Sequence, residues 1–185
     1  MKRVLIISTS PRKNGNSDSL CQKVAESAKG AGAEVEFIRT SDYDLHPCTA
    51  CNGCIKTEDK CVIKDDMPVI LDKMIKSDVI VMATPLYYFS LSAQIKIVID
   101  RTYSCYIKDK NPLENKKWYL IITAETTEES DLKTAVDSFK GFLRCVPGST
   151  LQDVLYGTGT SISGKANSDK YFGQAEKMGK DAAAE

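Results

Sequence analysis

The chain has 185 residues, its 25 basic side chains balance 25 acidic ones, and its cysteines number an odd seven. That length fits a single domain spanning 1–185, large enough to bury a core without disulfides or metal. The neutral balance excludes the charge footprint of a nucleic-acid or anionic-membrane binder. No stretch approaches the ~20 apolar residues of a membrane span or a signal peptide's apolar core, so a cytoplasmic protein is expected.

Residues 4–8 read as a continuous apolar strand. Asn16 or Ser17 caps a helix whose inward stripe is Leu20, Val24, Ala28 and Ala31, and Gly30 and Gly32 end it. Val35 and Phe37 alternate with Glu34 and Glu36, the pattern of a half-exposed edge strand. Asp66 caps a second helix with Met67, Ile70, Leu71, Met74 and Ile75 on its apolar face. Residues 78–83 form the most apolar strand, and a third helix carries Leu91, Ile95, Val98, Ile99 and Thr102. Residues 118–123 are a fourth strand, followed by a helix with Leu132, Ala135, Val136, Phe139 and Leu143. Residues 151–156 make a weaker fifth strand, and Tyr171, Ala175 and Met178 mark a last helix.

Five strands alternating with helices predict a parallel sheet covered on both faces. The apolar strands one, three and four belong inside and strands two and five at the edges. This is the α/β, flavodoxin-like three-layer sandwich, with a five-stranded parallel sheet in order 2-1-3-4-5.

Ligands of such sheets bind beyond the carboxyl ends of the strands, where strands one and three diverge. The first loop there, residues 9–17, combines hydroxyls, amides, Gly15 and two cations ahead of a helix N-terminus, the chemistry of an anion cradle. Ser10, Asn16 and Ser17 are candidate donors to a phosphate, with Ser19 assisting, and Arg12 a candidate ion-pair partner; an ordinary polar loop with a cap is the plain alternative. The second loop, Thr84-Pro85-Leu86-Tyr87-Tyr88-Phe89-Ser90, has three consecutive aromatics that cannot all enter the core. A flat amphipathic partner such as an isoalloxazine ring would cover them; a local aromatic cluster or a subunit interface would do so too. Residues 123–127 bring hydroxyls to the same crevice. The P-loop and the Rossmann glycine fingerprint are absent, since Gly157-Thr158-Gly159 lacks the third glycine. His46, the only histidine, stands beside Pro47 and reads as a loop residue without a catalytic role.

Cys48, Cys51, Cys54 and Cys61 stand close together, with the two short spacings of a ferredoxin-type site and a longer final gap. A [4Fe–4S] cluster, a redox-active dithiol and plain structural thiols all remain open; zinc suits the spacing less well. Cys21, Cys105 and Cys145 read as scattered buried or half-buried thiols.

Residues 10–17 and 84–90, together with Gln94-Ile95-Lys96, Ile99-Asp100-Arg101 and Thr123-Ala124-Glu125, resemble the flavin-contacting segments of the NADPH-dependent FMN reductase and iron–sulfur flavoprotein group. The likeness runs from residue 1 to about residue 159. It implies that Ser10, Arg12, Asn16 and Ser17 hold the FMN phosphate, that Pro85, Leu86, Tyr87, Tyr88 and Phe89 line the ring, and that Thr123 and Ala124 border it. It implies a ping-pong NAD(P)H oxidoreductase, with no catalytic side chain nominated, reducing a small-molecule or protein acceptor. It also implies a homodimer or homotetramer in which a neighbouring subunit completes the pocket, the helix at 91–103 being a contact surface. Many relatives carry a small residue near Phe89, so this chain departs from the group there. Two other readings stand beside it: an electron carrier relaying between ferredoxin, [4Fe–4S] and FMN, and a non-catalytic sensor built on Cys48–Cys61.

Overall fold

In a computed structural model, which describes residues 1–57, 61–105, 111–162, 164–166 and 168–184, the apolar runs become strands and the three-and-four spacings become helices. In chain order these are β1 (Arg3–Ser8), α1 (Asn16–Gly30), β2 (Glu34–Arg39), α2 (Gly53–Lys56), α3 (Met67–Lys76), β3 (Val79–Tyr87), β4 (Ser90–Leu91), α4 (Ala93–Arg101), β5 (Lys117–Thr123), α5 (Lys133–Arg144), β6 (Thr150–Gly157) and α6 (Asp169–Ala184). The main sheet is parallel in order β2-β1-β3-β5-β6, the expected 2-1-3-4-5 topology. β4 adds a short antiparallel partner to β3.

Alternate residues of each strand feed two cores, because successive side chains point to opposite faces. Leu5, Ile7, Ile80, Met82, Trp118 and Leu120 pack under α3, α4 and α5. Val4, Ile6, Val79, Val81, Tyr119 and Ile121 pack under α1 and α6. Trp118 meets Phe139 and Phe142 edge-on at 6.1 and 5.4 Å. α1 and α6 touch at Gly179, where a Cβ would lie 2.5 Å from the Val24 carbonyl oxygen and 2.7 Å from Ser27 Cβ. The same contact carries a 2.7 Å bond from the Ser27 hydroxyl to the Glu176 carbonyl.

Several local expectations change. α1 is capped by Gly15, with no side-chain cap from Asn16 or Ser17. Asp66 is the cap residue of α3, but it is the neighbouring Asp65 carboxylate that accepts the Met67 amide, at 3.1 Å. The third helix begins after Leu91, which belongs to β4; its cap is Ser92, accepting from the Ile95 amide. The aromatic segment is not a loop throughout: β3 runs on to Tyr87 and turns back through Tyr88 and Phe89 into β4. Cys145 is exposed, whereas Cys21 and Cys105 are buried.

Candidate functional site

At the carboxyl edge, the Thr9 amide and hydroxyl both donate to the Ala83 carbonyl, at 2.8 and 2.7 Å, so β1 and β3 end side by side. The chain then turns tightly. The Gly15 amide donates to the Arg12 carbonyl at 3.3 Å, and the Arg12 amide donates to Ser10 Oγ at 3.2 Å. A Cβ on Gly15 would lie 3.2 Å from that same Arg12 carbonyl, so the absence of a side chain keeps the turn closed. α1 therefore starts without a side-chain cap, leaving first-turn amides and the positive end of the helix dipole beside the turn. Lys13 pairs with Asp42, whereas Arg12 forms no ion pair among the described residues.

A cleft of about 220 Å³ opens here. Its lining includes Ser10, Arg12, Asn16 and Ser17 from the first loop and the start of α1, Pro85, Leu86 and Tyr87 from the end of β3, and Thr123 and Ala124 from the end of β5. Ser17 Oγ and Thr123 Oγ1 meet at 2.7 Å, bridging α1 to β5. Tyr88 and Phe89 do not line the cleft. They occupy the hairpin turn with φ of +48° and +57°, Tyr88 fully exposed and Phe89 59% exposed. Left-handed backbone is uncommon for bulky side chains and is normally met by Asn or Gly in such a turn.

Asn16 behaves differently from a free donor. Its side-chain amide donates to the Thr160 and Ile162 carbonyls and accepts from the Ala166 amide. That clamp brings Thr160 and Ser161 to the cleft, and with Gly15 and Glu125 they complete its lining. Gly15 and Glu125 lie in segments the sequence had singled out, but sequence reading passed over Thr160 and Ser161; the hydroxyl-rich run Thr158 to Ser163 directly after the last strand was the available signal. It also passed over Asp18, a buried carboxylate that accepts from Ser8 Oγ, the Asn14 amide at 2.9 Å and Arg39 Nε at 2.7 Å. Together the cleft offers uncapped amides, hydroxyls and a guanidinium to an anion, and an apolar rim to a flat group.

The sequence model of the NADPH-dependent FMN reductase family matches residues 2–148. The chain belongs to this family. It is 42% identical over 100 residues to an iron-sulfur flavoprotein of Methanocaldococcus jannaschii, covering 54% of this chain and 51% of that protein. It is 40% identical over 111 residues to an iron-sulfur flavoprotein of Methanosarcina thermophila, covering 60% and 56%. The chain thus spans about half the length of the curated relatives it matches. In fold it resembles an NAD(P)H:quinone oxidoreductase from Methanothermobacter marburgensis, with a TM-score of 0.77 over 97% of this chain and 94% of that one at 16% identity.

In this FMN reductase family member the cysteine segment lies between β2 and α3. Cys48 and Cys51 are exposed, Cys54 and Cys61 half-buried, and all are free thiols. Hydrogen bonds from the Gly53 amide and the Thr49 hydroxyl hold the Cys51 thiol below its ordinary pKa. Gly53 packs tightly on Val62, where a Cβ would come within 2.5 Å of a methyl group. Among the described residues no three Cys, His, Asp or Glu side chains are grouped to hold a metal ion. Residues 58–60, within the spacer before Cys61, lie outside the described residues. The segment is latched to α4 by Arg101, whose guanidinium donates to Asp65 at 2.5 and 2.9 Å and to the His46 carbonyl at 2.7 Å, and also meets Cys61. Burial opposes the charge on Asp65, but Arg101 and the amides of His46 and Met67 outweigh it and hold the carboxyl below its usual range. His46 is exposed, as expected of a loop residue. A second, larger and mostly apolar cavity of about 430 Å³ is bordered by α4 and α5, with Ile99, Tyr103 and Phe142 among its walls. No helix among the described residues is long and apolar enough to cross a membrane.

Proposed function

We propose that this chain is an FMN-dependent oxidoreductase that takes reducing equivalents from NAD(P)H and passes them to a small-molecule or protein acceptor. One observation carries the reading: the polar turn after β1, with Arg12, and the rim formed by the end of β3, with Tyr87, border a single cleft. An anion suits the first and a flat ring the second, and FMN joins the two through a polyol. When bound, FMN supplies hydride acceptance and onward electron transfer. The chain's own part is to bind and orient. Arg12, the Ser10 and Ser17 hydroxyls and the first-turn amides of α1 take the phosphate, while Asn16 contributes its main chain and uses its side chain to hold the Thr160 segment in place. Pro85, Leu86 and Tyr87 form the apolar rim, and Thr123 and Ala124 close its edge. Tyr88 and Phe89, turned outward, are assigned to the acceptor or to a second copy of the chain.

Fluorescence titration of cofactor-free protein with FMN tests the first step, and anaerobic addition of NADH or NADPH the second. Uptake of FMN, bleaching of its blue band and recovery on adding a quinone are expected. Arg12→Ala should weaken FMN binding about tenfold, the loss of one charge-assisted contact, with Tm unchanged. Failure to take up FMN, or uptake with no bleaching by either nicotinamide, would sink the proposal.

A relay of single electrons through [4Fe–4S] is favoured by the four-cysteine spacing and by the names of the relatives, although among the described residues no three metal-ligating side chains are grouped. Iron and sulfide analysis of anaerobically isolated protein decides it: about four irons per chain would support the relay.

A further inference from the structure

Next to the anion end of the cleft lies a carboxylate that lines no part of it. Asp18 stands in the first turn of α1 with its side chain 1% exposed. Its two oxygens receive donors from three separate segments: the Ser8 hydroxyl at the end of β1, the Asn14 amide within the turn, and Arg39 Nε at the end of β2. Arg39 is itself held in place, its guanidinium 4.6 Å from the centre of the Phe37 ring. An enclosed ion pair is a costly way to begin a helix, since an exposed serine or aspartate would cap it. What the pair adds is geometry. Asn14 stands at φ +57°, a left-handed conformation that asparagine accepts more readily than most residues, and its amide is tied to Asp18. Arg12 and Gly15, the two ends of the same turn, border the cleft.

We infer that Asp18, neutralised by Arg39, is a positioning residue that preforms the phosphate end of the cleft. Asp18 fixes the turn before an anion arrives, so binding does not spend energy on ordering it. Arg39 cancels the charge that would otherwise repel that anion. The inference rests on the FMN reading and specifies how its phosphate end is built.

The experiment compares FMN with riboflavin, which has the same ring and polyol but no phosphate, on cofactor-free wild type, Asp18→Asn and Arg39→Gln. Asp18→Asn keeps an acceptor oxygen and the side-chain volume. It should lower FMN affinity about 10- to 100-fold and leave riboflavin affinity unchanged, a split that general loss of folding would not produce. Arg39→Gln leaves the carboxylate without its countercharge near the anion and should weaken FMN at least as much, most of all at low salt. Equal losses for both flavins would reduce Asp18 to a fold support and overturn the inference, and so would no loss at all. Hydrogen exchange of the Asn14 amide in the wild-type apo-protein needs no variant: protection is expected, and free exchange would overturn the inference even if both variants fail to fold. If wild type binds neither flavin, the cofactor assignment itself fails and takes this inference with it. If wild type binds FMN and the variants show no phosphate-dependent split, only the inference fails.

Discussion

At the scale of single residues, the chemistry of the cleft was legible where it depends on residue type and local position. Ser10 and Arg12 sit in a polar turn ahead of a helix and Ser17 in its first turn, and a helix start exposes amides wherever it occurs. The side-chain role of Asn16 was not legible, because its partners lie at 160, 162 and 166, a pairing only the folded sheet creates. Asp18 was missed for a similar reason: a carboxylate in a first helical turn looks like ordinary dipole compensation until Arg39 is seen beside it. The aromatic turn shows the cost of a residue-scale departure. Phe89 holds a positive φ that glycine adopts freely, and such strain costs about 1–3 kcal/mol. Allowing for the greater unfolded-state freedom of glycine, Phe89→Gly should stabilise the isolated chain by about 1 kcal/mol, or about 2–4 °C in Tm. A fall in Tm on calorimetry would show that Phe89 makes compensating contacts in solution.

At the scale of elements, the order of the sheet could be read because parallel strands buried on both faces are apolar without interruption. β4 could not, since its turn lacks the Asn-Gly signal that normally announces a hairpin. Contacts between elements were equally hidden. Gly179 reads as a weak point in a helix, yet it is where α6 meets the backbone of α1. Gly179→Ala should force the two apart and destabilise by about 1–3 kcal/mol, despite alanine's better helix propensity. An unchanged or raised urea midpoint would contradict that packing. The Asp65–Arg101 pair joins the cysteine segment to α4 with both side chains nearly inaccessible. The Asp65 carboxyl titrates lower in the folded than in the unfolded chain, so the folded state favours its charged form. Its contribution is complete above about pH 5 and is lost as pH falls through the lowered folded value. Asp65→Asn, which strands a buried guanidinium, should cost about 3–5 kcal/mol at neutral pH. Its urea midpoint should also vary less between about pH 5 and 3 than that of wild type.

Across the whole molecule, the architecture followed from composition and periodicity, while the state of the seven thiols did not. Spacing grouped four of them in one segment, and it could not show the range of accessibility over which the fold spreads all seven. Cys48, Cys51 and Cys145 are exposed; Cys21 is buried, and its enclosure, with Asp18 nearby, pushes its pKa far up. Titration of the native protein with a thiol reagent should therefore label the exposed three rapidly. Cys21 and Cys105 should react only after denaturation. Mass mapping that found Cys21 among the first to react would mean the α1 face opens readily.

The reach of Asn16 across to residues 160–166 also bears on how the protein is made. A nascent chain can build β1 and the turn after it early, but the wall supplied by that distant segment does not exist until residues 160–166 have left the ribosome. Completion of the cleft thus waits on synthesis of a segment 144–150 residues beyond Asn16, and a translation product cut short before residue 160 would retain the family's sequence signature while lacking part of the cleft wall.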